Sequence, residues 1–70
     1  MYIVIELQKN ADGTLGNIVT AYENLREAES KFHNILATAA LSKLPVHSAA
    51  ILDETGMVYS QGSYEYKENS

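Results

Sequence analysis

Seventy residues carrying a net charge of −4, 46% hydrophobic side chains and no cysteine describe one small folded domain and not a disordered segment. Without cysteine there can be no disulfide framework, no thiolate metal centre and no thiol nucleophile. The basic residues Lys9, Arg26, Lys31, Lys43 and Lys67 stand singly, so no cationic stripe forms to neutralise phosphates, and nucleic-acid binding is disfavoured. A chain of this size buries only about 60% of its unfolded surface, which leaves close packing or association to supply the rest of its stability.

The first six residues, Met1 to Glu6, contain no cationic leader, and Glu6 interrupts the apolar run early. A signal peptide is therefore not expected. No window approaches the roughly 18 apolar residues of a membrane span, so a cytoplasmic protein without membrane contact is the expectation.

Tyr2 to Gln8 alternates Ile3, Ile5 and Leu7 with Tyr2, Val4, Glu6 and Gln8, the period of a strand. Apolar residues begin both faces, which suits a central position. Asp12-Gly13 supplies the reverse turn, and Leu15 or Gly16 to Glu23 is the return strand. Asn24 to Lys43 is the long helix. Its stripe of Leu25, Ala28, Phe32, Ile35, Leu36, Ala39 and Ala40 recurs at three and four residues, as an amphipathic helix requires. Asn24 with Glu27 forms a capping-box pattern, and Pro45 forbids continuation past the end. Phe32, the single phenylalanine, sits mid-stripe and is the expected plug of the core.

Val46 to Leu52 is the third strand, Asp53 to Gly56 a hairpin turn, and Met57 to Gln61 the fourth strand. That strand resumes through Tyr64 after an irregularity at Gly62. The order is ββαββ: an α+β, two-layer domain over residues 1–66, one helix packed on a four-stranded antiparallel sheet, with a polar tail at 67–70. Strand directions permit the spatial orders 2-1-3-4 and 1-2-4-3. The first places the two most apolar strands in the centre.

The stretches MYIVIELQ, NADGTLGN, EAESKFHNILATAA and PVHSAAILDETG resemble those of short uncharacterised proteins encoded by gut Gram-positive bacteria and their prophages. That resemblance spans nearly the whole chain. It implies an origin, with no assigned activity and no cofactor.

Residues with chemical potential are few. Glu29 and His33 stand four apart on the helix, able to present a carboxylate and an imidazole to one metal ion, but the second histidine of an H-E-x-x-H site is missing. The plainer reading is a solvated pair. His47, at a strand start, is read as a partly buried strand residue. The Asn10–Thr14 segment fails as a calcium loop, because its twelfth position falls on Val19 where a bidentate glutamate is needed. No G-x-S-x-G elbow or P-loop is present, and Tyr2 stands where the small tautomerases carry their N-terminal proline. An enzyme is not expected.

Five tyrosines remain, in a chain too acidic for a nucleic-acid stacking platform, and aromatics of this kind are enriched at protein interfaces. With the helix on the Ile3 side of the first strand, Tyr2 and Val4 would stay exposed together with Tyr59, Tyr64 and Tyr66. This is the expected interface of a homodimer or a protein partner. The alternative is a small enzyme or a metal- or ligand-binding protein, its site assembled at an oligomer interface from Glu29, His33 and His47.

Overall fold

A computed structural model describes residues 1–66; the polar tail at 67–70 lies outside them. Strands β1 (Tyr2–Lys9) and β2 (Leu15–Tyr22) are followed by helix α1 (Leu25–Ala40), then by β3 (Val46–Asp53) and β4 (Val58–Glu65). The four strands form one antiparallel sheet in the order β2-β1-β3-β4. Of the two orders that strand direction permits, this is the one that centres the apolar strands.

Both hairpins close with the same turn. Asn10 N–H donates to Thr14 O and Gly13 N–H to Asn10 O; at the other end, Asp53 N–H donates to Met57 O and Gly56 N–H to Asp53 O. This is a three-residue loop whose last position is left-handed, and Gly13 and Gly56 hold φ of 90° and 92° there. A side chain at either position would be strained. Asp12 Oδ1 accepts from the N–H and hydroxyl of Thr14, and Asp53 Oδ1 from those of Thr55. The threonine hydroxyls lead the influences that hold both carboxyls below their ordinary range.

At the start of α1, Asn24 Oδ1 accepts from Arg26 N–H at 2.7 Å. The cap is thus made to the second helical residue and not to Glu27 at the third, where a capping box would place it. The helix stops at Ala40, short of Lys43. Leu41 and Ser42 donate to Thr38 and Ala39 over three residues, a tightened last turn that hands the chain to Pro45.

Ala28, Phe32, Ile35 and Ala39 of the stripe are buried, with Leu25 and Leu36 packed at its edges, while Ala40 is exposed. They rest on Val4, Ala49 and Ile51. The helix therefore covers the Tyr2/Val4 side of β1, and the expectation that it takes the Ile3 side is corrected: Val4 is 1% exposed. The irregularity in β4 also moves. Ile51 pairs with Ser60 and Leu52 with Val58, which leaves Tyr59 as the extra residue of a bulge. The strand runs unbroken through Gly62, which faces Ala49 beneath the helix, where an added Cβ would stand 3.0 Å from Leu36 Cδ1.

Phe32 is 5% exposed at the middle of this contact. Phe32→Ala should cost about 3–5 kcal/mol, the lost transfer energy plus the residual cavity. Asn34→Ala on the solvent face should change stability by no more than about 0.5 kcal/mol. Urea melts of both variants beside the parent check the assignment; a Phe32→Ala midpoint matching the parent would remove Phe32 from the core.

Candidate functional site

Two features stand out, one under the helix and one on the opposite side of the sheet. Under the helix, the only buried polar side chain among the described residues is His47, 3% exposed. It lies across from Gln8 in the β1–β3 register, with Glu6 one position further along the same face. His47 Nε2 approaches Glu6 Oε2 at 2.6 Å, and Gln8 Nε2 donates to the same oxygen at 3.0 Å. That contact requires the proton on Nε2; Nδ1 is buried with no partner among the described residues.

Burial is the largest single influence on Glu6 and pushes its carboxyl up. The hydrogen bonds from His47 and Gln8, with the charges of His47 and Lys31, together outweigh it, and the net position lies below the ordinary 4.5. A carboxylate–imidazole pair orients a nucleophile in many enzymes. Here the imidazole is buried and the carboxylate partly so, and the pair joins β1 to β3.

The residues considered for an interfacial metal or ligand site are not gathered. Glu29 and His33 are exposed on the helix, whereas His47 is buried and engaged by Glu6. Among the described residues no three His, Asp or Glu side chains converge on a metal-sized site.

The tyrosine patch also divides. Val4 is in the core, and Tyr2 is partly buried on the helix side, its ring edge-on to Tyr59 at 5.4 Å. Tyr64 pairs with His47 and so shares the helix side; Tyr59, Tyr64 and Tyr66 are exposed. Tyr2 and Val4 therefore do not form the uncovered surface.

That surface lies on the other side. The registers place Ile3, Ile5 and Leu7 of β1 beside Ala21, Val19 and Asn17 of β2 and beside Leu52, Ala50 and Ser48 of β3. Val58 extends it onto β4 opposite Leu52. No element of the described chain packs there. Leu7, Val19 and Val58 are exposed there, and Ile3, Ile5 and Leu52 are half-buried. At the β3–β4 half the side chains are small, and a hollow of about 430 Å³ opens over Leu7, Ser48, Ala50, Gln61 and Ser63. The alternation of β1 marks Ile3, Ile5 and Leu7 as one face, and the helix lies on the other.

Comparison with protein-family models, with curated proteins and with solved structures found no match. No helix among the described residues is long and apolar enough to cross a membrane.

The Glu6–His47 pair generates a pH dependence. Because the folded carboxyl lies below 4.5, its contribution is complete above the unfolded value and is lost as pH falls through the lower folded one. Urea midpoints should therefore drop on acidification below about pH 4.5, and Glu6→Gln should shrink that drop, leaving the share of Asp12 and Asp53. At pH 7, His47→Ala should cost about 1.5–3 kcal/mol, the range for a hydrogen bond to a charged group. An identical acid profile for Glu6→Gln and the parent would show that the pair contributes nothing.

Proposed function

We propose that this chain is a small, non-catalytic protein-interaction module of the cytoplasm that associates with a second copy of itself through its sheet. One observation carries the reading: Ile3, Ile5, Leu7, Val19, Leu52 and Val58 form an apolar patch centred on β1 that has no covering layer, with polar Ser48, Gln61 and Ser63 beside it on β3 and β4. Monomeric proteins seldom leave a contiguous apolar patch of more than a few hundred Å² in water. A 70-residue chain without disulfides also gains from burying it.

A second copy is the occupant the surface suits best. The charges on this face, Lys9 and Glu65, flank Val46 at one end; from Ile3 to Leu7 on β1 and along β2 there is none, so under a two-fold axis the apolar part meets its copy without repulsion. The hollow over Ser48, Ala50 and Ser63 gives the bulk of Ile5 and Leu7 from a facing sheet somewhere to seat at the usual separation of about 10 Å. The resemblance to prophage-encoded proteins adds a biological setting to the proposal, an accessory role for phage or host. No cofactor and no nucleic acid enter it.

Leu7→Glu would bring two carboxylates onto that contact while leaving the helix side untouched. Sedimentation at micromolar concentration should show the parent heavier than a single chain and Leu7→Glu lighter than the parent, with its circular dichroism preserved. A parent that sediments as a strict monomer would rule out self-association.

A further inference from the structure

The two edges of the sheet are unequal. β4 is blunted by the bulge at Tyr59 and ends on Glu65. β2, LGNIVTAY, has no charge, no proline and no bulge, and all eight of its residues pair with β1 without a break. Proteins normally protect such an edge with a charge, a proline or a twist. Ile18 makes the omission sharper. It lies on the helix side, paired with Glu6, yet stands 55% exposed because the helix centres on β1 and β3.

Building on the self-association proposed above, we infer that the β2 edge pairs antiparallel with β2 of another copy, joining two sheets into one of eight strands. The register follows from the hydrogen-bond pattern. The Asn10–Thr14 bond closes the hairpin, and alternation from it turns the backbone groups of Gly16, Ile18, Thr20 and Tyr22 toward β1. Those of Leu15, Asn17, Val19 and Ala21 point outward with no partner strand.

A two-fold axis at Ile18 satisfies all four outward residues of each strand at once, Leu15 against Ala21 and Asn17 against Val19 of the mate. Ile18 then meets the mate's Ile18 in a non-hydrogen-bonded pair, where side chains approach most closely. The remaining pair, Gly16 against Thr20, is small, and no charge meets a charge anywhere along the contact. Because the axis is normal to the sheet, both helices lie on one side, and the two uncovered faces merge into one surface. The edge contact uses the outward backbone groups of β2 and the side chain of Ile18 on the helix side, whereas the face contact uses side chains on the other side of the sheet, so both contacts operate together and the assembly exceeds two chains.

Ile18→Lys places a charge on the edge without altering the uncovered face. Asn17→Pro removes an outward N–H that the β1–β2 ladder does not use, a substitution that edge strands tolerate. In sedimentation of the folded variants, the parent should exceed two chains. Ile18→Lys and Asn17→Pro should each fall to the face-paired dimer, Leu7→Glu to an edge-paired dimer, and Ile18→Lys combined with Leu7→Glu to one chain. Retention of the parent mass by both edge variants would overturn the edge contact and leave that edge for a strand of another protein. Retention by Leu7→Glu alone would overturn the face contact instead, and a monomeric parent would overturn both.

Discussion

A single helix of 16 residues cannot cover both faces of a four-stranded sheet, and almost everything in this molecule follows from which face it covers. On the covered side, Phe32, Ile35 and Ala28 meet Val4, Ala49 and Ile51. The close fit depends on small residues in the sheet beneath, Ala49 and the bare backbone of Gly62 against Leu36. On the uncovered side, Leu7 is exposed and Ile3 and Ile5 are half-buried, with no element packed over them. The burial that stabilises the monomer and the exposure that suits it to a partner are two consequences of one choice.

Hydrophobicity does not make that choice. Ile3, Ile5 and Leu7 are at least as apolar as Tyr2, Val4 and Glu6, and a reading by burial alone assigns the helix to the wrong side. Turn chemistry and handedness decide it. The three-residue loop between Asn10 and Thr14 makes Gln8, Glu6, Val4 and Tyr2 the residues that exchange hydrogen bonds with β2. For L-residues, strand direction and hydrogen-bond side together fix the face to which a side chain points. β2 and β3 run parallel with β1 between them, so the α1 connection is a crossover, and the right-handed rule fixes the face that carries the helix. Worked through, those three constraints put Tyr2, Val4, Glu6 and Gln8 under α1, as observed. The element order, the helix stripe and the central place of β1 were legible from periodicity. The covered face was legible only through the turn, and the bulge at Tyr59 had no local signal, since of the two nearby glycines Gly56 serves the turn and Gly62 the packing of Leu36.

The polar pair under the helix fits this view. A one-residue slip of β3 against β1 would send His47 to the uncovered face and part it from Glu6. An apolar pair in the same place could be reshuffled at small cost. A carboxylate left without its imidazole in a part-buried position could not, because an unpaired charge retains its desolvation penalty. Glu6, Gln8 and His47 thus act as a register pin on a sheet whose two faces are otherwise similar in apolar character. His47 drew attention in the sequence as a possible ligand. Its partner was not legible there, because Glu6 is 41 residues away and only the β1–β3 pairing brings the two together.

The two hairpins close with one turn geometry, yet their outer strands differ in a way that bears on assembly. β4 carries a bulge and a terminal glutamate, devices that stop a sheet from growing. β2 carries neither. Had selection acted only to keep the chain monomeric, a lysine at Ile18 or Val19 would have sufficed, since both side chains are more than half exposed and neither contributes to the core. An unprotected edge on one side of the sheet and a protected one on the other limit growth by strand pairing to a single event per chain. In the proposed pairing, that asymmetry would give a closed edge-to-edge pair and not an open fibre, with the uncovered face extended across two sheets.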